Sequence, residues 1–265
     1  MFSSLHNHST FCDGKNTPEE MIVSALKAGI TDFGITRHSD ASEILQKETF
    51  TEDEYLTALR RIQKENRLPI NFYVGVEEDL FMPVKDRSKY DYVIGSTHYV
   101  KRGDTLYAID HTEEIFLRGI NEVFGGDAYA YCEQYYRQVL SCAKKKPDIL
   151  GHFDLLRKCG GKFIDFSSKK YRDIALSCAE ECVKEEVIFE VNYGAIPRKR
   201  LIEPYPTDEI LRYIRQKGGR VTVSTDCHDE SFIAFGLAEG EEKLRSLGFK
   251  EIMVYKSGKF EGKKL

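Results

Sequence analysis

Two textures of apolar and polar positions alternate along the chain. Short runs rich in β-branched and aromatic residues read as strands: Ser3–His6, Asp32–Thr36, Ile70–Val76, Tyr92–Ser96, Ile149–His152, Val187–Val191 and Val221–Ser224, with a tail strand near Ile252–Tyr255. Longer stretches place apolar residues three and four apart, the spacing of one helix face. Thr17-Pro18-Glu19-Glu20 opens the first of these with a capping hydroxyl, a proline at the first helical position and a glutamate that reaches back. Met21, Ile22, Ala25 and Leu26 form its apolar stripe, and Gly29 stops it. Thr51-Glu52-Asp53-Glu54 repeats the cap before Leu56, Leu59 and Ile62. Further helices are expected over Ala128–Lys145, Tyr171–Glu185 and Asp208–Lys217. There is no internal repeat or low-complexity linker. The alternation predicts one α/β domain over residues 1–265, with a mostly parallel sheet and helices outside it.

Such units can form an open doubly wound sheet or a closed barrel, and the polar residues decide between them. His6 and His8 end the first strand and His38 follows the second. Glu77 follows the third, His98 the fourth, and His152 ends the fifth. Asn192 follows the sixth, while Asp226 and His228 follow the seventh. In an open sheet only strands at the switch point carry such residues. In a barrel every strand delivers them to one mouth. A barrel of about seven strands is therefore expected, with its site at the C-terminal strand ends.

Composition narrows the class. With 41% hydrophobic and 31% charged residues in 265, the chain can bury a large core and is not of the disordered type. A net charge of −4 gives no support to a nucleic-acid-binding role. No apolar run approaches the roughly 20 residues of a membrane span, and the polar start MFSSLHNHST is unlike a signal peptide. Seven cysteines without a Cys-x-x-Cys pair suit a reduced, cytoplasmic setting.

The histidines carry the chemistry. In His6-Asn7-His8 the two-residue period aims both imidazoles at one face, where they can share an ion. Asp226-Cys227-His228 repeats that geometry with one carboxylate, and Asp13 sits in the turn Phe11-Cys12-Asp13-Gly14. Six of the seven histidines end or follow strands. So many donors exceed what one tetrahedral ion uses, which implies two or three divalent ions with Glu77 as the bridging carboxylate. Manganese, iron and zinc all suit mixed imidazole and carboxylate donors. Three such ions, less Asp13, Glu77 and Asp226, leave a local charge of about +3, which attracts a phosphate dianion. A water bridging two ions would lose a proton near neutrality and become a hydroxide ready to attack. The implied chemistry is metal-assisted hydrolysis of a phosphate ester, with a small phosphorylated metabolite as partner. His111 stands apart, between the fourth and fifth strands, as a loop or helix-start residue whose segment could cover the mouth.

These residues resemble a known family. HNHSTFCDG is similar to the first motif of the polymerase-and-histidinol-phosphatase (PHP) superfamily, usually His-x-His-x-x-x-Ser-Asp-Gly. FGITRHSD, VGVEEDL, IGSTHYV, ILGHFDLLRK and VSTDCHD resemble its later motifs in order, so the likeness runs from Leu5 to about Asp229. It implies a distorted seven-stranded (βα)7 barrel. GHFDLLRK and FEVNYGAIPRKRLIEPYPTDEILRYI resemble the histidinol-phosphate phosphatase branch, which implies hydrolysis of L-histidinol phosphate in histidine biosynthesis. By that resemblance His6, His8, Glu77 and Asp226 hold a first metal, Glu77, His98 and His152 a second, and Asp13, His38 and His228 a third. Arg157 and Arg198 match the branch's phosphate-binding positions, with Arg200 a rival to Arg198. A guanidinium suits the task because its fork pairs two phosphate oxygens and stays charged. The ammonium and imidazole of that substrate need acceptors, for which Glu77-Glu78-Asp79 and Asp110 are candidates.

Two positions depart from the family pattern. Cys12 replaces the usual serine, and Arg37 stands where aspartate or glycine is common. Arg37 is a further candidate for the phosphate, for a pair with Asp40, or for a different substrate. The alternatives to the histidinol-phosphate reading are a PHP phosphoesterase acting on another small phosphate ester or nucleotide, and a barrel that holds metals without turnover. Cys178 and Cys182, four apart on a helix, read as core or surface packing, and Cys12 and Cys227 lie beside ligands without a catalytic assignment. Neither the general acid nor the oligomeric state is legible.

Overall fold

The computed structural model describes residues 2–39 and 50–265. In chain order these form β1 (Phe2–Ser4), α1 (Pro18–Lys27), β2 (Ile30–Ile35), α2 (Glu52–Glu65), β3 (Asn71–Asp79), β4 (Tyr92–Ser96), β5 (Tyr99–Arg102), β6 (Thr105–Ala108) and α3 (Glu113–Arg118). There follow α4 (Ala128–Lys144), β7 (Ile149–Leu150), α5 (Arg157–Gly160), α6 (Lys169–Lys184), β8 (Ile188–Asn192), α7 (Asp208–Gln216), β9 (Arg220–Ser224), α8 (Leu237–Ser246), β10 (Glu251–Lys256) and β11 (Lys259–Lys264).

Seven strands pair in the order β1-β2-β3-β4-β7-β8-β9, every neighbour parallel. The two edges meet just beyond their strands. Asn7 and Cys227 form a parallel bridge there, and the His8 N–H donates to the Cys227 carbonyl at 2.7 Å. The sheet is thus a nearly closed barrel, joined at its C-terminal mouth. At the opposite end the antiparallel hairpin β10–β11 packs against β9 and β1 and covers the seam. None of the helices among the described residues is long and apolar enough to cross a membrane.

The local signals act as the side chains dictate. Thr17 accepts the Glu20 N–H and the Glu20 carboxylate takes the Thr17 N–H at 2.9 Å, closing the box that starts α1. Thr51 and Glu54 do the same for α2. Met21, Ile22 and Ala25 are then buried against the sheet, as the helical spacing requires. Strand ends differ from expectation in an informative way. β1 stops at Ser4 and β7 at Leu150, so the segments carrying His6 and His152 have already left the ladder. β3 runs on to Asp79, which places Glu77 within a strand rather than after it. The hairpin of β5 and β6, the helices α3, α5 and α8, and strand β11 were not expected from the sequence.

The barrel interior is filled below the mouth by Leu5, Tyr73, Tyr92, Ile94, Ile149 and Tyr255, a cluster separate from the shell beneath the helices. Tyr92 is its centre and donates its hydroxyl to the Leu5 carbonyl. Its ring lies across β2 and β3 at Gly34 and Gly75, where an added Cβ would collide with ring atoms. These two glycines are therefore slots for one tyrosine. A methyl group there overpacks the barrel. Gly75→Ala is expected to lower the unfolding free energy in urea by about 1–3 kcal/mol. Combining it with Tyr92→Leu should give a loss smaller than the sum by about 0.5 kcal/mol or more. Strictly additive losses would show that ring and slot do not interact.

Candidate metal centre

Glu77 is the hub of the mouth. Its Oε2 lies 3.3 Å from His6 Nε2, 3.4 Å from His8 Nε2 and 2.9 Å from His38 Nδ1. Its Oε1 lies 3.1 Å from His98 Nε2 and 2.9 Å from His152 Nε2. On one flank, Asp226 Oδ1 is 3.7 Å from His6 Nε2 and 3.5 Å from both His8 Nε2 and His228 Nδ1. On the other, Asp13 approaches His38 Nε2 at 3.4 Å and His228 Nε2 at 3.2 Å. Every metal donor expected from the sequence is in this one cluster, and His111 is not.

The backbone explains the convergence. His6 and His8 project from the same side of the β1 extension, while Asn7 between them points away and donates to the Ser4 and Gly34 carbonyls at 3.1 and 2.9 Å. His38 and Glu77 face each other through a parallel bridge. Asp226 sits in the left-handed region at φ 44°, a conformation costly for a non-glycine residue and common at functional sites. Gly194 makes room for it, since a Cβ there would lie 2.7 Å from Asp226 Cβ and 2.9 Å from Arg198 Nη2.

Burial alone would lower the pKa values of His6, His38 and His98. Facing carboxylates outweigh it and raise all three well above the usual value, with Glu190, Glu77 and Asp226 acting on His6, and Glu77 on His38 and His98. Burial would raise Glu77, Asp13 and Asp226, yet the imidazoles hold all three below the usual carboxylate range, with Arg198 helping at Asp226. His8 goes the other way, lowered by burial and then by His228 and His38. Buried acids here depend on positive charge from their neighbours. A divalent ion supplies that charge without a proton.

The donors fit such ions. His6 Nε2, His8 Nε2, Asp13 Oδ1 and Glu77 Oε2 are buried and have no hydrogen-bond partner. Donor atoms within 4.8 Å of one another form three groups: His8, Asp13, His38 and His228; His6, His8 and Glu77; and His38, Glu77 and His98. Unpaired buried polar atoms are costly unless something binds them. Imidazole and carboxylate donors at this density are ligands in search of cations.

A second layer escaped the sequence reading. Glu190, fully buried on β8, takes His6 Nδ1 at 2.6 Å and Ser224 Oγ at 2.5 Å on Oε1. Its Oε2 accepts the His152 N–H at 2.8 Å and Asn192 Nδ2 at 2.9 Å. Asp79 orients His98 through Nδ1 at 3.3 Å and the backbone N–H at 3.0 Å, and Ser96 Oγ donates to Glu77 Oε1 at 2.7 Å. The available signal was Glu190 itself, a lone acid inside an apolar strand.

Above the donors an inner cavity of about 70 Å³ opens into an outer one of about 340 Å³. Arg198 lines both, its Nε bonded to the Gly194 carbonyl at 2.8 Å and its Nη2 3.3 Å from Asp226 Oδ2. Arg200 and His111 line the outer cavity. Arg157 differs from expectation. It is buried away from both cavities, donating to Glu203 Oε1 at 2.6 Å and the Pro204 carbonyl at 3.0 Å, with Asp154 at 3.4 Å. Its neighbour Lys158 takes the wall instead, a residue that sequence reasoning missed.

Arg37 is likewise absent from both walls. Strand alternation turns it from His38 to a buried place beside the Tyr55 ring, 5.9 Å from the centroid. Asp40, its suggested partner, lies outside the described residues. Glu78 pairs with Arg87 and Asp79 with His98, and neither lines the two cavities, whereas Asp110 lines both. Cys12 Sγ is 3.3 Å from His8 Nδ1, and Cys178 and Cys182 are buried core thiols with sulfurs 3.8 Å apart.

Comparison with known proteins places this geometry. Residues 4–194 match the PHP domain. The chain is 24% identical over 279 residues to a "Probable histidinol-phosphatase" of Schizosaccharomyces pombe, covering 96% of this chain and 90% of that one. A protein of the same name from Deinococcus radiodurans is 26% identical over 259 residues, with 92% of each covered. The histidinol phosphate phosphatase of Lactococcus lactis, solved with zinc, L-histidinol and phosphate, superposes with a TM-score of 0.66 at 18% identity, covering 97% of this chain and 98% of that one. The HisK protein of Listeria monocytogenes gives 0.71 at 19%, covering 90% and 99%. The structural likeness establishes a shared fold.

Glu190→Gln should keep the barrel while weakening the hold on His6. Metal affinity, measured by titration of the stripped protein, is expected to fall about 10–100-fold. Unchanged affinity would remove Glu190 from the centre.

Proposed function

This chain belongs to the PHP-domain family, and on that premise we propose that it is a single-domain, metal-dependent phosphomonoester hydrolase over residues 1–265. Its proposed reaction converts L-histidinol phosphate and water to L-histidinol and phosphate, a step of histidine biosynthesis. The observation that carries the reading is the crowding of five imidazoles within 3.4 Å of the Glu77 carboxylate, at the floor of a cavity whose wall includes Arg198 and Lys158. The names of the relatives and the histidinol and phosphate in the Lactococcus lactis structure support the substrate.

Two to three divalent ions, manganese, iron or zinc, are held in this reading by His6, His8, Glu77 and Asp226, by Glu77, His98 and His152, and by Asp13, His38 and His228. When bound, such ions neutralise phosphate charge and make water nucleophilic at neutral pH. The chain's own residues do the rest. Glu77 and its imidazoles hold their geometry through Glu190, Asp79 and Ser96. Arg198 turns its guanidinium to the phosphate oxygens and stabilises the charge that spreads over them in the transition state. Lys158 adds a second cation on the same wall. Burial of the cluster excludes water, so these charges act at low dielectric. Free thiols at all of the cysteines suit a cytoplasmic setting.

The test is phosphate release by the purified protein from histidinol phosphate against a panel of monoesters, with metal content measured on the same sample. Histidinol phosphate is expected to lead the panel, and chelation to abolish turnover until metal returns. Asp226→Ala should remove activity, and Arg198→Ala should lower kcat/KM by about 10²–10³-fold. A metal-replete protein that releases no phosphate would refute the reading. A panel led by a nucleotide or sugar phosphate would move the substrate but keep the chemistry.

A further inference from the structure

The neck between the two cavities holds a carboxylate that no donor group above uses. Asp110 lines both the inner and the outer cavity, together with Lys158 and Arg198. Its Oδ2 accepts Lys158 Nζ at 2.8 Å, and this is the one hydrogen bond made by its side chain among the described residues. A carboxylate accepts about four hydrogen bonds, so Asp110 keeps spare capacity facing the cavity. Burial would favour its protonation, but Lys158 and then His98 hold it down at about 2, so it carries its charge at neutral pH. The rest of the outer wall that is not a metal donor is cationic or neutral: Lys158, Arg198, Arg200, His111 and Tyr99.

We propose that Asp110 is the specificity-determining acceptor for a primary ammonium group close to the phosphate of the substrate. With the phosphate against the donor cluster of the inner cavity, groups near the ester oxygen fall at the neck, and larger substituents extend into the outer cavity. An ammonium there meets Asp110 Oδ1, while Lys158 keeps Oδ2 and holds the carboxylate in place. A monoester without the amine leaves that oxygen unmatched in a partly dry site, so the amine gains a charge-assisted bond that its competitor lacks. The inference rests on the phosphatase reading and adds the chemical feature by which the site chooses among phosphate esters.

The experiment compares 2-aminoethyl phosphate with ethyl phosphate, alongside histidinol phosphate, on the metal-loaded protein. Wild type is expected to prefer the amine-bearing ester by about tenfold or more in kcat/KM, the usual worth of a hydrogen bond to a charged group. Asp110→Asn should erase that preference, because 2-aminoethyl phosphate falls about tenfold further than ethyl phosphate does. Calorimetry gives a second readout: histidinol should bind the variant about tenfold more weakly, and inorganic phosphate as before. Lys158→Met should lower turnover of both esters and keep the preference. The proposal is overturned if wild type shows no amine preference, if Asp110→Asn keeps it, or if that variant loses both esters equally. Should wild type hydrolyse the small esters but not histidinol phosphate, the substrate reading fails while the matched pair still judges Asp110. Because the wild-type ratio is read without any variant, a misfolded Asp110→Asn does not protect the idea.

Discussion

One buried carboxylate surrounded by imidazoles sets the terms for the rest of the molecule. Glu77 is 1% exposed and has His6, His8, His38, His98 and His152 within 3.4 Å. Acids and bases stripped of water at this density cannot all take their preferred charge, and the opposing pKa directions of His6 and His8 are the sign of it. The cluster trades protons for compensation and leaves four donor atoms unpaired. A protein that needed only stability would fill this space with apolar side chains. Retaining the arrangement makes sense for a site whose charge balance is completed by cations, and whose interior stays primed for a dianion.

Holding that arrangement requires a scaffold with little freedom, and the two ends of the barrel divide the work. The mouth carries candidate donors from strand after strand, and the ring closes there through Asn7 and Cys227, each flanked by two of them. Pairing is therefore completed by the segments that present the chemistry. Below it, Tyr92 lies across Gly34 and Gly75 and hydrogen-bonds the chain at Leu5, one residue before His6. Tyr255 from β10 joins the same cluster and donates to the Asp91 carbonyl at 2.6 Å. Packing below the mouth thus pins the chain at Leu5, just past the end of β1 and directly before the first imidazole. Glu190 ties the top together, since one side chain bonds His6, the His152 backbone, Asn192 and Ser224.

What the sequence made legible follows from short-range rules. Capping boxes at Thr17 and Thr51 and the period-two pair His6 and His8 depend on local geometry, and all are realised. Donors that follow strands were readable because parallel strands of a barrel point one way. Long-range facts were not. Glu190 is one acid in an apolar strand, and nothing local says that its partner is His6, 184 positions away. The hairpin of β5 and β6 pairs Tyr99–Arg102 with Thr105–Ala108 across a turn at Gly103, a pattern overshadowed by the histidine just before it.

Arg157 and Lys158 show how sharply such limits can fall. Adjacent residues on a helix project about 100° apart, so a motif that places a cation in the sequence does not say which of two neighbours faces the cavity. The decision comes from the loop between β8 and α7. Glu203 and the Pro204 carbonyl bind the Arg157 guanidinium, and the same loop carries Arg198 and Arg200 to the cavity wall and Tyr205 beside His152. Arg157 is thereby a clamp between α5 and the loop that delivers other groups, buried where a mobile ligand contact would be costly to make. Lys158, one step round the helix, reaches Asp110 and closes the neck. Charge at the wall is therefore set by pairs across elements. Two cations on the wall are each held by an acid with a place of its own: Arg198 by Asp226 of the candidate donor cluster, Lys158 by Asp110. The first pairing joins the cavity wall to the candidate donor cluster. The second leaves a carboxylate at the entrance, where the rest of a substrate has to pass.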